Sequence, residues 1–221
     1  LRFAVPTSTT PSLSPPPTRP RACPSPVDPG RPVPGSRAVA ARYDHATGLI
    51  NGYRSEAVAA LKLRPGETVL DVGCGSGFSF APILDAIGPA GRLLAFDHSP
   101  DLLAIAHSRV AQAGWRNVTL LESTADSARF DAKAAALLFS YVHDVMQSEA
   151  GLDNLLRQAA PGARVAICGT KLWPWWGLPV NLYLYVTHRR YITNRNENFG
   201  RPWAKIEKRL KDFKVKVRWP P

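Results

Sequence analysis

The chain has 221 residues, a formal net charge of +11 and 45% hydrophobic residues. It contains no run of about 18 uninterrupted apolar residues, so the sequence predicts no transmembrane helix. The three cysteines cannot all pair, and neither Cys-x-x-Cys nor Cys/His metal spacing occurs, which argues against a zinc site and favours a reducing, cytoplasmic setting.

The positive charge lies at the two ends of the chain. Residues 1–41 hold five Arg and one Asp, and residues 186–221 hold eleven Lys or Arg and three acids. Residues 42–185 are almost neutral, with twelve basic and thirteen acidic residues. A solvated basic surface, an anionic partner or membrane surface, and nucleic acid remain alternatives for the ends. We expect no nucleic-acid partner for the central domain.

Pro, Ser, Thr and Arg dominate the first 41 residues, which offer few apolar side chains to a core. We therefore expect a disordered tail at 1–41 and one α/β domain at 42–221. Apolar residues recur at three- and four-residue steps over 46–61 and predict the first helix. Pro65-Gly66 then turns the chain towards the first strand.

Residues 68–79 predict a strand, a tight loop and the start of a helix. Apolar residues run into Asp71 and then into a Gly-x-Gly-x-Gly loop formed by Gly73, Gly75 and Gly77. Glycines let the backbone turn sharply and let a ligand approach it closely, which is typical of a cofactor loop. The loop is one residue shorter than the dinucleotide fingerprint. In addition, the Asp71 carboxylate would repel a phosphate but could receive an ammonium group.

The segment VLDVGCGSG at 69–77 resembles motif I of the class I S-adenosylmethionine-dependent methyltransferases. A second apolar strand, LLAFD at 93–97, ends in Asp97, where that family places its ribose ligand. The resemblance implies a Rossmann-like, doubly wound, mostly parallel sheet with helices on both faces. It also implies transfer of a methyl group from S-adenosylmethionine to a small molecule, as in ubiquinone and menaquinone biosynthesis.

The same resemblance implies a set of cofactor contacts. Asp71 would receive the amino group, Asp97 the ribose, and Thr124 with Ala125 the adenine. The family often has an acid where Thr124 stands, so Asp126 is a substitute and an ordinary polar loop is the alternative. Tyr43 would lie over the methionine part of the cofactor, or else anchor the first helix. The implied cofactor-binding residues are Tyr43, Asp71, Gly73, Gly75, Gly77, Asp97, His98, Thr124, Ala125 and Ser140.

Ser99-Pro100-Asp101 predicts a helix start, because Ser caps and Pro suits the first helical position. The buried face of that helix is predicted at Leu102, Ile105, Ala106 and Val110. Strands three and four are predicted at 118–121 and 134–139.

Ser140, Tyr141 and His143 follow the fourth strand at the carboxyl edge, where open α/β sheets bind substrates. His143 and Tyr141 are the candidate catalytic residues. For His143, a general base, a pocket wall and a structural role remain alternatives.

The pattern continues with a helix at 151–160, a turn at Pro161-Gly162 and a fifth strand at 164–168. Residues 172–210 are aromatic and then basic and predict a lid over the acceptor, whose aromatic part favours an apolar or aromatic acceptor. Peripheral membrane contact through 172–190 and simple packing are the alternatives. Residues 213–219 alternate like an edge strand. The family normally ends in an antiparallel pair, so we expect one strand to be truncated or supplied by a second chain in a homodimer.

Two other classes of function remain. A nicotinamide-dependent oxidoreductase would use the same sheet but a longer glycine spacing without Asp71. A non-catalytic module would keep the fold and bind a partner or membrane surface through its basic ends. The sequence leaves open whether the acceptor atom is carbon, nitrogen or oxygen.

Overall fold

The computed structural model describes residues 52–169 and 202–214. The predictions for the tail at 1–41, for Tyr43 and for membrane contact at 172–190 lie outside these residues. In chain order the elements are α1 (residues 52–60), β1 (Thr68–Val72), α2 (Phe80–Ile87), β2 (Arg92–Asp97), α3 (Pro100–Ala113), β3 (Val118–Glu122), β4 (Ala134–Ser140), α4 (His143–Gln147), α5 (Glu149–Arg157), β5 (Ala159–Cys168) and α6 (Ala204–Glu207).

The five strands form one sheet in the order β3-β2-β1-β4-β5, and every neighbouring pair is parallel. The chain first builds outwards from β1 to β3 and then returns to the other side of β1 with β4. The strand order therefore reverses between β1 and β4, and at such a point open α/β sheets commonly bind ligands in a crevice at the carboxyl ends of the two strands. The predicted Rossmann-like, doubly wound sheet is confirmed.

Alternate residues of the central strands pack into two separate cores, because successive side chains of a strand point to opposite faces. Val69, Leu93 and Leu138 pack with α1, α2 and α3 on one face. Leu70 and Leu137 pack with α4, α5 and α6 on the other. Helices therefore cover both faces, as predicted, and the central strands are buried on both sides.

The predicted start of α3 is confirmed. The Ser99 hydroxyl accepts a hydrogen bond from the Leu102 N–H at 3.4 Å, and Pro100 follows at the first helical position. The fully buried residues of α3 are Leu103 and Ala106. Of the predicted face, Ala106 is buried, whereas Leu102, Ile105 and Val110 are only partly buried, and Leu103 was not predicted.

Two boundaries differ from the sequence prediction. Pro161-Gly162 lies within β5, where three extra residues shift the register between the Ala134–Ala159 and Ala136–Arg164 pairs. The turn is real but interrupts a longer strand, because pairing with β4 resumes on both sides of it. The second boundary is that of α5, which spans Glu149–Arg157, whereas the sequence predicted a helix at 151–160.

The C-terminal helix α6, Ala204–Glu207, lies in the basic part of the predicted 172–210 region and docks on α4 and α5. Gln147 donates to the Pro202 carbonyl at 3.0 Å, and Lys205 donates to the Gln147 carbonyl at 2.8 Å. Arg209 donates to the Asp153 carboxylate at 2.8 Å. The edge strand predicted at 213–219 falls mostly outside the described residues.

None of the helices in the described part of the chain has the length and hydropathy that a membrane span requires.

Asn154 of α5 holds the loop that follows β3. Its side-chain amide is buried and donates to the carbonyls of Ala125 and Ala128 at 2.8 and 2.9 Å. We expect Asn154→Ala to lower the free energy of unfolding by about 2 to 4 kcal/mol, because it leaves two buried carbonyls without a hydrogen-bond donor and creates a cavity. Urea denaturation measures the change, with Gln112→Ala on the exposed side of α3 as control. A loss no larger than that of the control would contradict this anchoring role.

Candidate cofactor site

Four polar residues lie on one face of the sheet at the carboxyl ends of the strands. Ser140 pairs with Cys168 in the β4–β5 register. If the pairings of β1 with β2 and with β4 are continued by one residue, Asp97 and Ser140 both lie opposite the residue that follows β1, and so at the same level of the sheet. Asp71 lies one pleat deeper on that face, because side chains two residues apart share a face. This is the face covered by α1, α2 and α3. The sheet thus brings together Asp71, Asp97 and Ser140, all predicted site residues.

Asp97 links three loops at this edge. One carboxylate oxygen accepts the Gly75 N–H at 2.8 Å, and the other accepts the Ser99 N–H at 2.9 Å. The Asp97 backbone carbonyl accepts the Ser123 N–H at 3.0 Å. The carboxylate is therefore fixed in position, and each of its oxygens keeps a second lone pair for another donor. A pair of ribose hydroxyls would satisfy these two acceptors.

Asp71 is 1% exposed, and neither of its carboxylate oxygens has a hydrogen-bond partner in the described residues. Burial raises its pKa to about 7, with the positive charge of Arg54 lowering the pKa and the negative charge of Asp97 raising it. A buried carboxylate without a donor is costly, so such a group in a crevice indicates a binding site for a cation or donor.

The glycine loop that follows Asp71 adopts conformations that suit glycine. Gly73 has φ +60°, and a Cβ there would lie 2.5 Å from Cγ1 of Val142. Gly77 has φ +81°, and its Cβ would lie 2.6 Å from the Phe80 ring. The Cys74 N–H donates to the Phe96 carbonyl at 2.9 Å and ties the loop to β2. Both the positive φ angles and the lack of space for a Cβ therefore require glycine at Gly73 and Gly77, as the sequence predicted.

Arg54 of α1 is a candidate site residue that the sequence analysis missed. Its Nε donates to the Ser140 hydroxyl at 3.3 Å. Its guanidinium carbon lies 5.0 Å from the centre of the Tyr141 ring and 5.1 Å from that of Phe78. Arg54 therefore spans the crevice from the loop after β1 to the end of β4. Its only sequence signal was an Arg on the predicted first helix, which is common on helix surfaces.

The two predicted catalytic residues lie beside this crevice. Tyr141 has φ +59°, and its N–H donates to the Cys168 carbonyl at 2.9 Å. Burial raises the pKa of the Tyr141 hydroxyl, which therefore stays protonated at neutral pH. The His143 imidazole packs against the backbone at Gly169, where a Cβ would lie 3.2 Å from its Cε1. Both residues stand at the carboxyl end of β4, as predicted.

The remaining predicted contacts follow β2 and β3. His98 is exposed, with its Nδ1 3.6 Å from an Asp97 carboxylate oxygen. Thr124 is exposed, whereas Ala125 is buried and its carbonyl accepts the bond from Asn154. Hydrogen bonds from Thr124 lower the pKa of the exposed Asp126 carboxyl. The loop after β3 thus offers polar side chains at the surface and is fixed from below by α5.

Residues 69–162, from β1 into β5, match the family model described as a methyltransferase domain. The parallel sheet and the covering helices of this part of the chain agree with that match. The match covers the glycine loop, Asp97, the loop after β3 and the end of β4.

Two curated relatives of this chain are quinone methyltransferases by name. The demethylmenaquinone methyltransferase of Shouchella clausii is 27% identical over 139 residues, which cover 58% of this chain and 58% of the relative. The 2-phytyl-1,4-naphtoquinone methyltransferase of Synechococcus elongatus is 32% identical over 126 residues, 54% of this chain and 53% of the relative. The chain therefore spans little more than half the length of these two relatives.

A solved structure of an S-adenosylmethionine-dependent methyltransferase from Aquifex aeolicus is similar, with 23% identity and a TM-score of 0.49 over 59% of this chain and 77% of that one. The cofactor of this class of methyltransferase is S-adenosylmethionine. The described residues fit it. Asp71 offers an unsatisfied buried carboxylate for its ammonium group, and Asp97 offers two oriented acceptors for its ribose.

Gly73→Ala tests whether the loop depends on the missing Cβ. We expect the variant to lose at least tenfold in affinity for S-adenosylhomocysteine, because the added methyl must displace Val142 or the loop. Isothermal titration calorimetry measures the affinity. The matched control is Gly114→Ala, which has φ +69° but nothing within 4 Å of the new methyl. Equal affinities of the two variants would show that the space at residue 73 is irrelevant to binding.

The buried Asp71 predicts a pH dependence of folding stability. Its pKa is about 7 in the folded chain and 3.8 without burial, so between these values the folded state holds a proton that the unfolded state has lost. Stability from this group therefore falls as pH rises towards 7. We expect Asp71→Asn to remove this loss, so that its free energy of unfolding gains about 3 kcal/mol on wild type between pH 5 and pH 8.

Urea denaturation of both proteins at the two pH values measures the difference. Asp85→Asn on the exposed side of α2 is the control, and its stability should follow that of wild type. If the stabilities of wild type and Asp71→Asn changed with pH in the same way, the pKa of the buried Asp71 carboxyl would not be raised by folding.

Proposed function

We propose that the chain transfers the methyl group of S-adenosylmethionine to a small apolar or aromatic acceptor. The observation that carries this proposal is the buried Asp71 carboxylate, with no described hydrogen-bond donor, one pleat below the fixed Asp97 carboxylate in the crevice between β1 and β4. S-adenosylmethionine supplies a methyl group on a positively charged sulfur, which keeps the bonding electron pair when the methyl moves to the acceptor. The chain's own residues bind, orient and shield the reactants.

In this proposal Asp71 pairs with the ammonium group and Asp97 accepts from the ribose hydroxyls. Gly73, Gly75 and Gly77 form the floor of the site. Thr124, Ala125 and His98 border the adenine, and Ser140 closes the methionine end through its bond with Arg54. Tyr43 lies outside the described residues and stays a proposed contact.

Tyr141 and His143 belong to the acceptor side. Because burial keeps the Tyr141 hydroxyl protonated, it serves as a hydrogen-bond donor and not as a base. The His143 ring rests against the backbone at Gly169, at the ends of β4 and β5, which suits a wall of the acceptor pocket. The names of the two quinone methyltransferases support a planar, apolar acceptor of this kind.

The same observation disfavours a nicotinamide dinucleotide. Its pyrophosphate would lie at the glycine loop, next to Asp71, and ionised phosphate oxygens would face a carboxylate. Two anionic groups in a buried crevice repel each other, and burial strengthens the repulsion. An ammonium group in the same place is attracted.

Calorimetric titration with S-adenosylmethionine, S-adenosylhomocysteine and NAD tests the proposal. We expect binding of the two adenosyl ligands and none of NAD. Asp97→Ala should weaken adenosyl binding about 10- to 150-fold, because it removes charged hydrogen bonds of about 1.5 to 3 kcal/mol.

Glu122→Ala is the matched control for Asp97→Ala, since Glu122 pairs with Asp97 in the β2–β3 register but is exposed. Its affinity should remain within twofold of wild type. Binding of NAD, or adenosyl binding that ignores the loss of Asp97, would overturn the proposed function.

A further inference from the structure

The segments that lead into the five strands carry most of the positive charge of residues 52–169. Together they hold eight basic and two acidic residues, whereas the rest of this range holds two basic and ten acidic residues. Because all five strands are parallel, these segments lie at one edge of the sheet, opposite the proposed cofactor site. We call this surface the amino edge. It comprises residues 61–67, 88–92, 114–117, 128–134 and 157–164.

Ion pairs and hydrogen bonds join these segments into one surface. Arg164 pairs with Glu67 and donates to the Lys62 carbonyl at 2.6 Å, which joins the segments that lead into β1 and β5. The Arg92 N–H donates to the Glu67 carbonyl at 3.1 Å, and the Arg92 guanidinium pairs with Asp131 at 3.1 Å. The two acidic residues of the amino edge are thus paired with two of its eight basic residues.

The other six basic residues of the amino edge are exposed and form no ion pair within the described residues. They are Lys62, Arg64, Arg116, Arg129, Lys133 and Arg157. Apart from these and Asp131, every exposed residue of the edge is Pro, Gly or Ala. Large apolar residues such as Leu63, Trp115 and Phe130 are partly buried and pack against the two cores. The surface therefore offers cations without an exposed apolar anchor.

The basic residues form a row across the sheet. Arg116 leads into the edge strand β3, Arg64 into the central strand β1 and Arg157 into the edge strand β5. Neighbouring strands are about 4.8 Å apart, so the row crosses the five strands over roughly 19 Å. A cleft of about 270 Å³ opens in it, lined by Arg64, Arg164 and the Pro161-Gly162 turn. Such a row matches a linear polyanion with regularly spaced charges.

We propose that the amino edge binds the phosphate backbone of a nucleic acid, independently of its base sequence. Exposed Arg and Lys clustered on one face are the electrostatic footprint of such binding. Proteins that lie on a membrane insert Trp, Phe or Leu into it, and protein–protein interfaces are enriched in aromatic residues and depleted in Lys. The amino edge exposes no large apolar side chain among the described residues, which favours the nucleic acid over both of these partners.

The orientation of the sheet makes this nucleic acid a partner and not the methyl acceptor. The proposed cofactor site lies at the carboxyl edge, so a nucleic acid on the amino edge leaves that site open. The inference therefore goes beyond the proposed function and does not depend on it. The nearly neutral charge of residues 42–185, from which no nucleic-acid partner was expected, is an average over two oppositely charged edges.

The test measures binding of the full chain to a fluorescein-labelled 12-nucleotide oligouridylate by fluorescence anisotropy. The variant carries Arg64→Gln, Arg116→Gln and Arg157→Gln, which are spread across the row. We expect it to bind about tenfold more weakly than wild type or worse. For single strands the logarithm of the affinity falls with that of the salt concentration by about 0.7 per neutralised phosphate, so the slope of the variant should be shallower by about 2.

The matched control carries Arg19→Gln, Arg21→Gln and Arg31→Gln, which remove the same charge from outside the amino edge. Its affinity should fall by no more than about threefold. Lysine at the three edge positions keeps the charge and should stay within about twofold of wild type. The affinity of the edge glutamine variant for S-adenosylhomocysteine should equal that of wild type, which scores the cofactor site separately.

Amide hydrogen exchange of wild type supplies a measurement that is independent of the folding of any variant. We expect the oligonucleotide to protect residues 61–67, 114–117 and 157–164 and to leave the glycine loop at 73–77 unchanged. Phosphatidylglycerol vesicles and a polyglutamate peptide, added at equal charge, should not displace it. Displacement by the vesicles or the peptide would identify a membrane or an acidic protein as the partner instead. Equal losses in the two glutamine variants, or protection confined to other segments, would also overturn the inference.

Discussion

The structure depends on placing a carboxylate, that of Asp71, inside the carboxyl end of the central strand. Burial of a charge costs several kcal/mol unless it is paired, and the raised pKa of this group expresses that cost. Neighbouring features reduce it. Arg54 brings a positive charge from α1, and the sheet reverses its strand order at this point, where open α/β sheets commonly bind ligands. The buried carboxylate therefore lowers the stability of the fold at neutral pH and favours binding of a cation beside it.

Around this carboxylate, the glycine loop and Asp97 support each other. The loop turns sharply because its glycines adopt positive φ angles, and its Gly75 N–H then meets the Asp97 carboxylate. Asp97 in turn fixes the start of α3 through Ser99. A single side chain therefore couples two loops that are distant in sequence. The geometry of the site follows from backbone hydrogen bonds, which few substitutions at the surface can disturb.

The sequence predicted those parts of the fold and site that depend on local signals. The strands and the loop with Asp71 combine apolar runs with glycines, and the α3 start at Ser99 combines a cap with a proline, so each is specified within a few residues. Arg54 was missed because its role depends on contact with Ser140, 86 positions away. Likewise, the Pro161-Gly162 turn lies inside β5 because pairing with β4 continues past it, which local sequence does not show.

The same reasoning explains why the cofactor side of the site is more readily inferred than the acceptor side. The proposed cofactor contacts come from strand ends and from backbone N–H groups, whose positions follow once the sheet order is known. The proposed acceptor contacts come from the residues that follow β4, and their positions depend on how the chain leaves that strand. Tyr141 illustrates this, because its position follows from a positive φ and a bond to Cys168 on the next strand. Residues at the strand ends can therefore be predicted from local sequence, whereas residues beyond them depend on packing that local sequence does not show.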